Sequence, residues 1–261
     1  MSRLWDEIVD GEPEDERLWE IYHENSKTSR VSGIPDDNAV AAHMLELWEE
    51  LPYPGADAIE LPAPSPLAMP LAEAIRTRRT QIAFGSEPLA LGDLSALLRA
   101  GYGVSPRPSA VGERSFRTVP SAGALYPLEL YVHAGAVAGL EPGLYHFRAK
   151  NAQLQRLRTL HPPQLAAAFV QSDVVETAAA VLVVTAAFLR TTFKYGERGY
   201  RFALIEAGHV AQNVDLAAAA LSLPAANLGG FFDRELEALL ELDGVESSVL
   251  YAIAVGSRTI R

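Results

Sequence analysis

Lys194 and Tyr195 stand side by side in the stretch TTFKYGERGYR. An ammonium next to a phenol can take up or deliver a proton once its surroundings tune it. The same two residues also read as a surface lysine beside a packing tyrosine. Arg76, Arg78 and Arg79 cluster just before Thr80. Guanidiniums at a helix end, with a hydroxyl beside them, suit a phosphate. They suit equally well a helix C-terminus whose dipole they complement. Ser257-Arg258, after the last expected strand, adds one more anion ligand.

Two loops of small residues accompany these charges. Pro120-Ser121-Ala122-Gly123 precedes Ala124-Leu125-Tyr126-Pro127 and feeds an apolar strand. A strand needs a turn residue or two at its start, not a run of this kind. A narrow loop lets a flat group lie against the backbone, where a larger side chain would collide. Gly229-Gly230, ahead of Phe231, permits a similar approach. Basic groups, small-residue loops and a Lys-Tyr pair together suit a phosphorylated cofactor with a proton-transfer group beside it. A flavin fits, since its ring carries the redox chemistry while the protein supplies contacts and proton management. Glu206 and His209 form a single Glu-x-x-His on a helix. Di-iron bundles use that spacing in two copies with further carboxylates, so a hydrogen-bonded helix histidine is the better reading and no metal is expected. Dinucleotide, P-loop, zincin and nucleophile-elbow signatures are absent.

The elements that must position these residues can be read from periodicity and breakers. Helices are expected over Asp15–Glu24 and over Asp36–Glu50, with Asp36 and Asp37 as N-caps. The breaker-rich Leu51–Pro70, containing PYPG and LPAPSP, reads as a linker. A short helix follows at Pro70–Arg79 and another at Leu91–Gly101. Strands are expected at Leu128–His133 and Val249–Val255, a hairpin at Gly143–Phe147 with Gln153–Arg158, and a central strand at Val181–Thr185. The longest helix runs from about Arg198 to Leu221. Ala203, Ala207, Val210, Ala211, Val214, Ala218 and Leu221 recur on it at helical spacing, and Gly208 would let a neighbour approach. Ala226–Leu228 leads into the glycine pair, and Asp233–Glu241 is a capped helix. Helices and strands alternate without a βαβ period, so the fold class is α+β. Residues 1–69 read as an N-terminal helical extension with its linker, and residues 70–261 as the main domain.

The 261 residues carry a formal charge of −11 and no cysteine. Disulfides, thiolate metal sites and a cysteine nucleophile are thereby excluded, in keeping with a reducing cytoplasm. The acidic balance argues against duplex DNA or an anionic membrane as partner. No apolar run approaches the roughly 20 residues that span a bilayer. The first 16 residues, MSRLWDEIVDGEPEDE, are acidic where a signal peptide would be basic and then apolar.

The chain resembles the nitroreductase-like flavoproteins, and within them the SagB/ThcOx-type dehydrogenases, the azoline-oxidase branch. Carrying the resemblance are AIRTRRTQIAF (Ala74–Phe84), PSAGALYPLELY (Pro120–Tyr131), GLYHF (Gly143–Phe147), KYGERGYRFALIEAGHVAQN (Lys194–Asn213), LGGFFD (Leu228–Asp233) and LYAIAVG (Leu250–Gly256). YHENSKTSR (Tyr22–Arg30) looks like the N-terminal extension of that branch. The resemblance implies a central, mostly antiparallel sheet flanked by helices, and a homodimer with FMN at the subunit interface. Arg78, Arg79 and Thr80 would hold phosphate and ribityl, with Arg258 as a second phosphate contact. Pro120, Ser121, Ala122 and Gly123 would lie along the flavin, and Gly229 and Gly230 would approach its ring. Lys194-Tyr195 matches the pair implicated in proton abstraction. One departure stands out: the family's R-R-S-x-R-x-F has Thr80 for its serine and Ile82 for its third arginine.

The activity so implied is FMN-dependent oxidation of a thiazoline- or oxazoline-like ring, or a similar C–N or C–C bond, on a peptide or carrier-bound substrate. Hydride would pass to flavin N5, with dioxygen as final acceptor. A NAD(P)H-dependent nitro or quinone reductase on the same scaffold is the alternative. A non-catalytic partner in a modification complex is a third reading, to which Ile82 lends support.

Overall fold

The computed structural model describes residues 18–29, 35–106 and 115–258. The acidic lead-in through Arg17, and Arg30 at the end of YHENSKTSR, lie outside the described residues. One sheet organises the rest. Its strands are β1 (Asp57–Glu60), β2 (Leu128–Ala134), β3 (Gly143–Arg148), β4 (Gln153–Arg158), β5 (Ala180–Ala187), β6 (Ala225–Leu228) and β7 (Ser247–Val255). They lie in the order β1-β4-β3-β2-β5-β7-β6, and every neighbouring pair is antiparallel. The expected α+β class with a central antiparallel sheet is what forms.

Both faces of the sheet are covered, which is why its middle strands read as near-continuous apolar runs. Leu128, Leu130 and Val132 share one core with α4 (Leu91–Tyr102) and α8 (Glu197–Ala220). Tyr131, Val181, Val183, Ala252 and Ala254 share the other with α5 (Pro162–Ala166), α6 (Ser172–Thr177) and α9 (Asp233–Leu240). Along α8 the expected stripe of Ala203, Ala207, Val210, Ala211, Val214 and Ala218 is buried throughout. The close approach falls elsewhere than expected. Gly208 is exposed with open space above it, whereas a Cβ on Gly101 of α4 would stand 2.7 Å from Val214 Cγ2. The missing side chain on α4, not on α8, lets these two helices touch.

Four further helices complete the described chain: α1 (Leu18–Asn25), α2 (Asp37–Glu46), α3 (Leu71–Thr77) and α7 (Leu189–Tyr195). Asp36 caps α2 as expected, its Oδ1 accepting from the amides of Asn38 and Ala39 at 2.9 Å. The helix stops short of Glu50 because Leu47 turns extended. That turn delivers Glu50 to Arg117 Nη2 at 3.0 Å and to the Lys150 amide at 2.9 Å. The stretch expected to be a linker also contributes structure, with β1 pairing β4 at the sheet edge. Residues from this stretch reach the sheet interior as well. The Leu51 amide donates to Glu129 Oε1 at 2.8 Å, and the Tyr53 hydroxyl meets that of Tyr131 at 2.5 Å.

Glu129 is the hub of that contact. It lies on β2, fully buried, between Arg190 Nη2 of α7 at 2.6 Å and His146 Nε2 of β3 at 2.7 Å. Burial alone would raise its carboxyl, but the Arg190 charge and the His146 hydrogen bond outweigh burial and hold it at about 2. A buried carboxylate stripped of its cation is costly, on the order of 3–5 kcal/mol. Arg190→Ala is therefore expected to lower the unfolding free energy from urea titration by an amount in that range, seen as a lower midpoint, with Arg190→Lys recovering part of it. An unchanged midpoint in Arg190→Ala would show that Glu129 is compensated by something else.

Candidate functional site

The sequence-derived candidates fall on two surfaces. On the first, α3 ends at Thr77 and its C-cap is Arg78. The chain then crosses to the far end of α8, where the Gln81 amide donates to the Ala225 carbonyl at 2.9 Å. Between α3, the α8 end and β6 lies a pocket of about 630 Å³. Arg76, Arg78 and Arg79 line it, opposite Asp215 and Ser222. Arg78 Nη1 stands 3.8 Å from Asp215 Oδ2, and Asn227 Nδ2 donates to that same carboxylate at 2.9 Å. Burial raises the Asp215 carboxyl, against the opposing pull of Asn227 and Arg78. The pocket keeps a cationic excess, and its size lies within the range of small-molecule sites.

Arg258 reaches the same end of α8, its Nη2 donating to the Leu221 carbonyl. Thr80 and Ile82 are exposed on the crossing segment. At the other end of β6, Gly229 is exposed, and a Cβ there would meet only Tyr251, at 3.6 Å. Gly230 is different. A Cβ on it would press within 3.1–3.4 Å of Gln171 and Val170, so its narrowness is used by the protein's own packing.

The second surface is built on the loop ahead of β2. Ala122–Ala124 form a single 3-10 turn in which Gly123 takes φ +63°. Ala124 (φ +54°) and Tyr126 (φ +48°) are also left-handed, a conformation that costs a non-glycine residue about 1–2 kcal/mol. The conformation persists because its neighbours hold it. The Tyr126 amide donates to Ser121 Oγ at 2.9 Å, Tyr126 stacks edge-on to Tyr102, and Leu125 packs with Val40, Met44, Phe193 and Tyr195. At its tip the loop meets α7. A Cβ on Gly123 would stand 2.7 Å from Tyr195 Oη and 3.3 Å from Lys194 Nζ. Lys194 Nζ lies 5.3 Å from the centre of the Tyr195 ring, and both side chains are half-buried. The structure thus joins Ser121, Ala122 and Gly123 to the Lys-Tyr pair. Pro120 rims a separate cleft of about 270 Å³ with Thr118 and Tyr126. That cleft and the arginine pocket share no lining residue.

Sequence reasoning weighed Glu206 only as half of a metal motif. In the fold Glu206 is buried while His209, three residues on, is exposed. Among the described residues no group of three or more His, Asp or Glu is placed to hold a metal ion. Glu206 instead accepts from the Tyr102 hydroxyl at 2.9 Å and has the Ser121 side chain as a second partner. A usable signal was present in the sequence. Glu206 falls three residues after Ala203 and four before Val210, on the stripe that must be buried. No helix among the described residues is long and apolar enough to cross a membrane.

The fold, an antiparallel sheet covered on both faces, recurs among known proteins. The nitroreductase family model matches residues 75–257, and the chain belongs to that family. It is 38% identical over 187 residues to the candidate nitroreductase MJ1384 of Methanocaldococcus jannaschii, covering 71% of this chain and 91% of that one. Trifolitoxin-processing protein TfxB of Rhizobium leguminosarum bv. trifolii is 31% identical over 152 residues, covering 56% of this chain and 41% of its own length. Microcin B17-processing protein McbC of Escherichia coli is 30% identical over 145 residues, covering 53% of this chain and 52% of McbC. The chain thus spans about half or less of the two processing proteins. The fold recurs in a nitroreductase-like structure from Anabaena variabilis, with a TM-score of 0.72 at 23% identity over 95% of this chain and 49% of that one. It recurs also in the E. coli microcin synthetase McbBCD complex with truncated pro-MccB17 bound, with a TM-score of 0.60 at 23% identity over 99% and 98%.

Burial pushes the Glu206 carboxyl up to about 7 from an ordinary 4.5, against the opposing hydrogen bonds of Ser121 and Tyr102 and the charge of Arg117. Between those values the folded state keeps a proton that the unfolded chain has released. Stability should therefore fall as pH rises from about 4.5 to about 7 and level off above. Glu206→Gln, which keeps the shape and loses the titration, is expected to flatten that slope in urea midpoints taken at several pH values. A slope equally steep in the variant would assign it to another group.

Proposed function

We propose that this chain is an FMN-dependent dehydrogenase or oxidase of the azoline-oxidising kind, acting on a thiazoline- or oxazoline-like ring or a similar C–N or C–C bond in a peptide or carrier-bound substrate. The observation that carries this reading is the close approach of Tyr195 Oη and Lys194 Nζ to Gly123, where any side chain would stand only 2.7 and 3.3 Å from them. A flat group laid along that loop would have a phenol and an ammonium at its edge. The relatives TfxB and McbC are named as processing proteins of trifolitoxin and microcin B17, which supports a processing role for this chain. The McbBCD synthetase, which shares the fold, supports action within a modification complex.

The residues fit FMN. Three guanidiniums in a pocket of about 630 Å³ are the donor set a phosphate monoester takes, with Arg258 anchored at the adjoining helix end. Arg78, Arg79 and Thr80, with Arg258, would hold the phosphate and ribityl end. Pro120, Ser121, Ala122 and Gly123 would flank the ring, with Gly229 leaving its approach open. The Pro120 loop and the arginine pocket belong to different surfaces of one chain, which supports a homodimer in which one copy offers the pocket and the other the loop. Leu71 and Ile75 of α3, Ile82, and Leu204 and Ile205 of α8 are exposed and apolar, as such an interface requires.

FMN held by these residues would supply the two-electron acceptor for a hydride leaving the substrate carbon, with dioxygen as the final oxidant. Lys194 as the free amine, or Tyr195 as the phenolate, would take the proton released from the neighbouring ring atom as the new double bond forms. Leu125 of the loop and Val40 and Met44 of α2 pack with Phe193 and Tyr195, which fixes the Tyr195 ring beside Gly123. Aromatising the ring lowers the product's energy, so correct placement of a base supplies much of what the chain must add.

The purified protein should show flavin absorbance or gain it when FMN is added, and Arg78→Ala should weaken FMN affinity by about 10- to 100-fold. Lys194→Ala should retain FMN yet lose about 100-fold or more in azoline oxidation, followed as oxygen consumption with a heterocycle-bearing peptide. A chain that never binds FMN defeats the proposal. Similarity to MJ1384 favours one second reading, a NAD(P)H-dependent reductase. Rapid bleaching of the flavin by NADPH, with nitroaromatics restoring it, would select that reading.

A further inference from the structure

We propose that Asp215 reads the hydroxyl groups of the ligand in the arginine pocket, so that the pocket selects a phosphate monoester of a polyol over a bare phosphate. That the ligand is FMN, whose ribityl phosphate is such an ester, rests on the function proposed above; the reading of Asp215 does not.

The pocket has two unlike walls. Arg76, Arg78 and Arg79 form one of them, at the end of α3 and just after it. Guanidiniums take a phosphate through their forked N–H groups. The other wall is the end of α8, where Asp215, Ala218, Ala219 and Ser222 line the same space. Its sign is negative, since the helix dipole ends there and a carboxylate projects from it. The Ala218 and Ala219 carbonyls accept the amides of Leu223 and Ser222 at 2.8 and 2.9 Å, which leaves Asp215 as the charged acceptor of this wall. A bare phosphate gains nothing from that carboxylate and is repelled by it. A ligand that carries hydroxyl donors beside its phosphate uses both walls at once.

Asp215 is held ready for such donors. Its side chain is only 8% exposed, and the space it lines is the pocket. Asn227 of β6 donates Nδ2 to Asp215 Oδ2 at 2.9 Å and so fixes the carboxylate plane. A carboxylate has about four acceptor positions, and among the described residues Asn227 supplies the one hydrogen bond to it. Arg78 Nη1, at 3.8 Å from Oδ2, is beyond hydrogen-bonding distance. The carboxylate therefore keeps acceptor positions for a ligand, and Arg78 keeps its N–H groups for a phosphate. Were Asp215 there only to hold Arg78, the guanidinium fork would be hydrogen-bonded to it. Its one bonded partner is instead an amide that orients the carboxylate itself.

Titration calorimetry of the full-length protein with ribitol phosphate, and with methyl phosphate, which lacks the hydroxyls, tests this. The wild type should bind ribitol phosphate more tightly by about tenfold or more, the scale of a hydrogen bond to a charged acceptor. Asp215→Ala should bring the two esters within about twofold of each other, with methyl phosphate bound at least as tightly as before, since a repelling charge is gone. Asp215→Asn keeps the shape and should lower the preference in the same direction, which keeps the test available if Asp215→Ala does not fold. Equal binding of the two esters by the wild type, or binding of neither, overturns the proposal. So does an equal loss of both in Asp215→Ala, which would make Asp215 a support for Arg78 alone. FMN affinity should fall about tenfold in Asp215→Ala. FMN bound equally well by that variant overturns the role of Asp215 and leaves the proposed function standing. FMN that fails to bind the wild type, while ribitol phosphate is still preferred, defeats the proposed function and leaves the role of Asp215 standing.

Discussion

A buried carboxylate on the central strand holds the working parts of this protein in register. Glu129 accepts from the Leu51 amide, from His146 on β3 and from Arg190 on α7. Three segments far apart in sequence meet at its two oxygens. Arg190 sits one turn before Lys194, so the ion pair decides where α7 lies on the sheet and where its Lys-Tyr end can reach. The side chains of Tyr53, Tyr131 and His146 close around it as an aromatic shell. In that low-dielectric setting the charge is tolerable only because each partner is present at once.

A second buried carboxylate, Glu206, plays the opposite part. Glu129 has an arginine and a histidine beside it and is held ionised. Glu206 has only a phenol, a hydroxyl and an arginine already shared with other acids, and it is left poised near neutrality. Glu129, on β2, is held ionised, while Glu206, on α8, is able to change state. The small-residue loop ahead of β2 keeps a backbone conformation that its own residues would not choose.

Much of the frame was legible in the chain itself. The α8 stripe, the β2 and β5 runs, the hairpin and the Asp36 cap follow from local periodicity and capping, and they form where expected. The short elements were not legible. β1, α5, α6 and α7 are four to seven residues long, too short to nucleate from local pattern, and they exist because tertiary contacts cover them. Glu50 illustrates the point: it read as a helix residue, yet α2 ends early so that its carboxylate can meet Arg117.

The sequence by itself determined which chemistry was available: the arginine group, the narrow loop and the adjacent lysine and tyrosine are all visible as residue types in order. Only the tertiary structure decided their grouping. It set the Lys-Tyr pair against Gly123 and put the arginines at the other end of α8, beside Asp215. It packed Gly230 against the chain's own side chains while leaving Gly229 open. It also drew Glu206 out of an apparent metal motif and onto the loop. Spacing along a chain specifies which side chains share a helix face, but which loop that face will meet depends on how the helix packs across the sheet, a long-range choice that no local pattern encodes.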